Sequence, residues 1–247
     1  MQELLPDGLS LVAFWTILFG SFIGSFITAA FGIGGGALLL AIMASVMPPA
    51  ALIPVHGVVQ LGSNIGRLGM LLRSVFWPAL PWFTVGSILG AALGGVVVVE
   101  LPPQWVQIGI GLFVIYTILA RAPRWFSQWP AVTGFISSFL TMFFGATGLF
   151  VASFTKSHQL PRHDHVATHA ALMTVQHGLK VMVFGFLGFT FGAWLPVITA
   201  LIVVGLIGTF SGKLVLNRIT DARFGLALDA ILLLISLRLI WSGVTAL

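Results

Sequence analysis

The sequence predicts an all-α integral membrane protein built from two inverted-topology repeats, with glycine-broken or re-entrant helices and about eight membrane helical segments or slightly more. Three observations carry this reading. Of 247 residues, 58% are hydrophobic and only 7% charged, where a soluble domain has about a quarter charged; a mean hydropathy of +1.10 leaves more apolar surface than one core can hide. Glycine clusters interrupt two apolar stretches, at Gly32–Gly36 and at Gly145–Gly148. The order of features then recurs along the chain at an offset of 113 residues.

Taken in order, each crossing needs about 20 apolar residues. Leu9–Phe31 meets that length, and the acidic start with Glu3 and Asp7 is unlike the basic head of a signal peptide, so this span is expected to be retained. Gly32-Ile33-Gly34-Gly35-Gly36 breaks it, and Ala37–Met47 is too short to cross unaided before Pro48-Pro49, the pattern of a re-entrant helix. Ala50–Leu72, Phe76–Val99 and Gln104–Ala120 follow as crossings, bounded by Arg73 and by Glu100-Leu101-Pro102-Pro103. Arg121–Trp129 is a charged linker. Beyond it come Pro130–Phe144, the second break at Gly145-Ala146-Thr147-Gly148, a short Leu149–Phe154 run, and then Val166–Leu187, Phe189–Phe210 and Phe224–Val244. The chain accordingly divides into a first transmembrane repeat, 1–121, a cytoplasmic linker, 122–129, and a second repeat, 130–247.

The repeat is legible residue by residue. Ser21–Gly32 aligns with Gly134–Gly145 with seven identities in twelve positions, and the same offset places Gly35 on Gly148, His56 on His169, Asn64 on His177 and Arg67 on Lys180. Weak internal symmetry of this kind is a signature of transporter folds. Orientation follows from the basic loops at Arg73, Arg121/Arg124, Lys156/Arg162 and Lys213/Arg218/Arg223. If each glycine-broken segment enters and leaves on one side, all of these lie in the cytoplasm, as short-loop Lys and Arg do. Glu3, Asp7, Glu100 and the Gly188 turn then lie outside with both termini, and the repeats are inverted.

Irregular backbone at membrane depth is tolerated only where protein or a water-filled cavity satisfies it, so the matched breaks mark a cavity. Helices restarting near Gly34 and Thr147 would aim free N–H groups and positive dipole ends inward, an arrangement that binds anions. Gly32, Gly34, Gly35, Gly36, Gly145, Thr147 and Gly148 are therefore candidate substrate-binding residues; the plainer alternative is that the glycines only permit close helix packing. The following helix of each repeat adds a polar stripe. His56, Gln60, Asn64 and Arg67 share one helical face, matched by His169, Met173, His177 and Lys180 with Gln176 beside them. Such groups are costly in a membrane and line pathways, although a buried His or Asn can also simply join helices. His56, His169 and His177 are candidate proton carriers, since imidazole titrates near neutrality. Arg67 and Lys180 are candidate vestibule charges that attract an anion, or side chains that snorkel to headgroups. Of the six acidic residues only Asp229 falls within an expected span, so the interior offers donors without a carboxylate relay and the substrate should be an anion.

Other chemistry has little support. Zero cysteines exclude disulfides, thiolate metal sites and cysteine nucleophiles. His163-Asp164-His165 with His169 lacks a metal-ligand spacing, so no metal and no cofactor are expected. No Gly-x-Ser-x-Gly, Walker or His-Glu-x-x-His pattern occurs, so the chain is not expected to be an enzyme. The net charge of +5 is loop charge and implies no nucleic-acid partner. Arg238 sits deep in its span with no evident partner.

With Phe31-Gly32-Ile33-Gly34-Gly35-Gly36, the proline turn, the polar helix and the echo at Gly145–Gly148 in place, the chain resembles the sulfite exporter TauE/SafE family over nearly its whole length. That resemblance implies a bacterial secondary transporter of sulfite, sulfoacetate or other small organic anions, and it matches Gly32, Gly34, Gly35, Gly36, Gly145 and Gly148 to the family's glycines. The chain departs from the pattern in carrying two glycines in its second motif, in lacking a proline within Ala37–Met47, and in showing the start of the polar helix only at Ala167-Thr168. The reading is a multi-pass protein of the bacterial inner membrane that moves a small anion by alternating access, with a proton as candidate coupling ion and the lipid bilayer as its surroundings. A passive anion channel is the alternative, and an intramembrane enzyme or a membrane-anchored sensor subunit are weaker ones.

Overall fold

A computed structural model describes residues 5–98, 102–119, 128–145, 147–215 and 221–247, with the side chains of 103, 106, 117, 221–229 and 231 outside that description. Within it the chain is helical, and no strand occurs among the described residues. Helices α1 (Leu11–Phe31), α2 (Gly35–Ala44), α3 (Pro49–Leu71), α4 (Leu80–Val98) and α5 (Pro103–Leu119) are followed by α6 (Pro130–Phe144), α7 (Gly148–Ser157), α8 (Arg162–Phe186), α9 (Leu195–Val215) and α10 (Asp221–Thr245). The two runs of five match in order, each with a 10-residue helix second and a long helix of 23 or 25 residues third. Arg121 and the linker residues 122–127, together with Glu3, Glu100 and Arg218, lie outside the described residues, as do the side chains of Arg223 and Asp229.

The local chemistry explains the breaks. Ser10 caps α1 by accepting from the Ala13 amide, and α1 ends where Gly32 takes φ +86° and donates back to the Thr28 carbonyl. Gly145 ends α6 in the same way, at φ +74° with its N–H on the Thr141 carbonyl. A side chain at either position would be strained, which is why glycine terminates both helices. The helices that restart, α2 and α7, have 10 residues each, about 15 Å or half a bilayer core. Helix α2 turns back along α1, with Gly35 against Gly24 and Ile42 against Gly20, and the chain returns to the level of its start, where Gly8 meets Pro48. The broken segment therefore enters and leaves at one end of the bundle.

Packing directions establish the symmetry. Helices α1 and α9 run parallel: Ser21 Oγ donates to the Leu201 carbonyl at 2.7 Å, and Gly208 and Gly212 lie on the backbone carbonyls of Phe22 and Phe26. Helices α4 and α6 are also parallel, with Gly86 and Gly90 on the carbonyls of Ala131 and Phe135. Each helix that packs on its own counterpart runs antiparallel to it. Gly57 of α3 meets Lys180 of α8, and Phe76, just beyond α3, donates its N–H to Thr168 near the start of α8. Gly111 and Gly243 register α5 against α10 in opposite directions. The axis relating the two sets is thus perpendicular to the helices, the arrangement of inverted-topology repeats.

These directions place Arg73, Lys156, Arg162 and Lys213 at one end of the bundle. Arg162 reaches the Ala30 carbonyl at the end of α1, and Lys213 reaches the Met70 carbonyl at the end of α3. Asp7 and Gly188 lie at the other end. Among the described residues, three helical stretches, Leu11–Phe31, Trp77–Val98 and Phe191–Val215, are long and apolar enough to cross a membrane; α3 and α8 have that length but carry the polar stripes.

Several boundaries differ from the sequence expectation. Helix α7 runs on to Ser157 and α8 begins at Arg162, because the charged residues flanking the apolar runs are themselves helical, with Asp164 in the first turn where the dipole favours it. Arg238 is exposed on α10, about 10 Å from the helix end, which puts its stem within snorkelling reach of an interface instead of deep inside the bundle.

Candidate functional site

The half-helix starts face the middles of the long polar helices. The first helical bond of α2 runs from the Leu38 amide to the Gly34 carbonyl, so the N–H groups of Gly35, Gly36 and Ala37 precede it and point out of the helix start. Helix α7 opens with a tighter turn, the Phe150 amide bonding the Thr147 carbonyl at 3.1 Å, and Gly148 and Leu149 precede it. His56 Nε2 lies 3.0 Å from the Gly36 carbonyl oxygen, and His169 Nε2 lies 3.2 Å from the Gly148 carbonyl oxygen. The two histidines expected to correspond therefore make the same bond to the same part of their half-helices.

The rest of the stripes converge here. Gln60 is buried, and a Cβ added to Gly36 would stand 3.4 Å from its Nε2. Asn64 Nδ2 donates to the Gln60 carbonyl at 2.7 Å. Arg67 donates through Nη1 to Asn64 Oδ1 at 3.0 Å and through Nη2 to Ser63 Oγ at 3.3 Å. In the second set, Gln176 Nε2 donates to Thr147 Oγ1 at 2.9 Å, and that hydroxyl donates onward to the Ser137 carbonyl. Lys180 Nζ reaches the Gly145 carbonyl at 3.2 Å and Thr141 Oγ1 at 3.4 Å. His177 joins the halves: its ring centroid is 6.1 Å from that of His56, and it lies within electrostatic reach of His169, Arg67 and Lys180.

Arg67 and Lys180, expected as vestibule charges, are 2% and 0% exposed. The Arg67 fork bonds residues three and four positions back along α3, so it leans toward the N-terminus of its helix, and both cations lie within electrostatic reach of His177. Their partners are hydroxyls, an amide and a carbonyl, all neutral. Among the side chains described, the acidic groups are Asp7, which is exposed, and Asp164, which is half-buried near the start of α8. The buried positive charge therefore has no described anionic partner inside the bundle.

Two of the candidate residues have evident packing roles. A Cβ on Gly35 would run into the Gly24 carbonyl and the Thr28 hydroxyl, so Gly35 is required for α2 to lie on α1. The Thr147 hydroxyl is engaged on both sides and anchors the start of α7. Gly34, at φ +101°, supplies the turn into α2, and Gly32 lies against His165 of α8. Sequence reasoning missed Ser137, Ser63 and Thr141, which hold the start of α7 and the two cations, and Thr28, whose hydroxyl bonds the Gly24 carbonyl where Gly35 packs. A signal existed for one pair, since Thr28 and Thr141 are an identity of the aligned repeat motif.

Fold and site together define a polytopic helical membrane protein with a buried, donor-rich, net-cationic centre framed by two half-helix starts. The chain belongs to the sulfite exporter TauE/SafE family, whose model matches residues 16–239. No curated protein and no solved structure matched the chain. The family is one of membrane transporters of sulfite and related sulfur anions, not of enzymes.

Proposed function

We propose that the protein is a secondary active transporter of a small oxyanion, sulfite or an organosulfonate such as sulfoacetate, bound near the midplane between the starts of α2 and α7 and exchanged by alternating access. The observation that carries this is the matched pair of half-helix starts, each clamped by a histidine at its first carbonyls, beside two buried cations that lack a described carboxylate. Backbone N–H groups and a positive dipole end suit an oxyanion, and Gly36 and Gly148 let it approach. Gln60, Asn64 and Gln176 supply directional hydrogen bonds, Arg67 and Lys180 the balancing charge, and His56, His169 and His177 the route for a coupled proton. In this reading each set of five helices is one repeat, divided near 121 and 130. The protein sits in the bacterial inner membrane with its basic end in the cytoplasm and both termini outside. Export is the direction the family implies.

The test is uptake of labelled sulfite by proteoliposomes, with and without an imposed pH gradient, with sulfoacetate, sulfate and chloride as competitors. Saturable, gradient-sensitive uptake blocked by sulfoacetate is expected. Flux that does not saturate and ignores the gradient would instead support the channel, and no uptake of any of these anions would refute the assignment.

A further inference from the structure

The histidine clamps restrict what the site can accept. A carbonyl oxygen only accepts, so His56 must carry a hydrogen on Nε2 to bond Gly36, and His169 must carry one on Nε2 to bond Gly148. In the neutral ring this leaves Nδ1 as a bare lone pair that can accept but not donate. Both Nδ1 atoms are buried and make no hydrogen bond among the described residues, on rings that are 0% and 4% exposed. An unfilled buried acceptor is costly, and no described residue bonds either one. His56 faces His177 and Lys180 from α8, and His169 faces Arg67 from α3 with His165 and His177 on its own helix. The Lys180 amine is directed to Gly145 and Thr141, and the Arg67 fork to Asn64 and Ser63.

Resting on the transport reading above, we propose that the site binds its anion only together with a proton, which is held at Nδ1 of His56 or His169. A hydrogen-bearing monoanion such as hydrogensulfite brings that proton itself. Its O–H either donates to Nδ1, or the O–H bond breaks as an N–H bond forms, leaving imidazolium against the dianion; no other reactant is needed. A fully deprotonated anion has no hydrogen to offer and would meet a lone pair, so it binds only when the ring takes a proton from solvent and Nδ1–H becomes a donor to the oxyanion. The clamp thereby makes anion and proton a single cargo, because the carbonyls of the anion-binding half-helices fix which nitrogen is left bare.

The experiment is calorimetric titration of the purified full chain in lipid nanodiscs, in two buffers of different ionisation heat, which counts protons taken up per anion bound. The probes are sulfite at alkaline pH, where it is the dianion, and methanesulfonate, a sulfonate that carries no acidic hydrogen. Uptake of a proton with each anion is expected for both. The glutamine amide can keep the donor bond to each carbonyl but cannot be protonated, so the combined His56→Gln and His169→Gln variant should lose proton uptake with methanesulfonate and bind it at least tenfold more weakly. If the double variant does not fold, at least one of the two single variants should lower the proton count. Wild-type binding of either probe without proton uptake would overturn the proposal while leaving the anion site standing, and uptake undiminished in the variants would overturn it by placing the proton elsewhere. Failure of both probes to bind would refute the transport reading and this proposal with it.

Discussion

The half-helix starts make a prediction whose size can be worked from the glycines. A Cβ on Gly36 would lie 3.4 to 3.5 Å from the Gln60 amide atoms, and one on Gly148 would lie 3.4 Å from His169 Nε2 and 3.7 Å from Met173 Cε. These are tolerable contacts, so Gly36→Ala and Gly148→Ala should fold, with a helix gain of up to about 1 kcal/mol offsetting any crowding. The added methyl would fill the space between each half-helix start and the side chain facing it, where the oxyanion has to approach the backbone. Losing one hydrogen bond to a charged group costs about 1.5–3 kcal/mol, which is roughly 10- to 150-fold in Kd. Gly35 is the wrong residue for this test, because its Cβ would collide with the Gly24 carbonyl and separate α2 from α1. Gly69, exposed and with nothing within 4 Å of an added Cβ, is the control. Sulfite affinity by calorimetry and melting temperature without ligand are the two readouts. Weaker binding with unchanged or raised melting temperature is expected for Gly36→Ala and Gly148→Ala. If both bind sulfite as tightly as Gly69→Ala does, the anion does not sit on these helix ends.

Lys180→Met removes a buried cation, while the Gly145 carbonyl keeps its bond from Thr141. The variant should therefore be more stable by on the order of 1–3 kcal/mol and bind sulfite about tenfold more weakly, as thermal melting and calorimetry will read. Gly90→Val drives a side chain into the Phe135 carbonyl at the α4–α6 contact and should cost about 3 kcal/mol or more through overpacking, seen as a lowered melting temperature or loss of the monodisperse protein. Since the chain has no cysteine, single cysteines at the exposed positions of Arg73, Lys156 and Gly188 should react with a membrane-impermeant thiol reagent in right-side-out cells at Gly188 alone. Labelling of Gly188→Cys and Arg73→Cys from the same side would refute the inverted arrangement.

Much of the fold was legible because the constraint that shapes it is local. A glycine cluster at membrane depth has few explanations, and the offset that aligned His56 with His169 also aligned the ends of α1 and α6. The polar stripes were legible for the same reason, since residues spaced by three and four share a helical face whatever surrounds the helix. The direction of Arg67 was open to inference, because a helical side chain leans toward the N-terminus, which for α3 points away from the basic end. The division of labour among the glycines was not legible. Gly35 packs on α1 and Gly36 faces Gln60, and only the placement of α1 and α3 around the half-helix distinguishes them. The pairing of Ser21 with Leu201 was equally hidden, because it joins residues 180 apart in sequence through contacts that leave no periodicity.

That pairing bears on how such a protein can move. Helix α1 is held by α9, and α6 by α4, through glycines pressed directly on backbone carbonyls. Interfaces of that kind have no side chain to rearrange and give way only by separating. Each half-helix is tied in turn to its own long helix, α2 to α3 through His56 and Gly36, α7 to α8 through His169 and Gly148. On the alternating-access reading proposed above, the bodies that would move are not the two halves of the sequence: α1, α2, α3 and α9 would form one, and α6, α7, α8 and α4 the other, each with a helix from the opposite half. Between α3 and α8 the contact is made by side chains, His56 against His177 and Lys180 against Gly57, and side chains can exchange rotamers where backbones cannot. Opening toward one end of the bundle would then mean parting α3 from α8 at that end while the glycine-packed pairs travel intact. An anion bound as proposed, touching both half-helix starts, would bridge the two bodies at that joint and favour the closed arrangement by its differential affinity for that state.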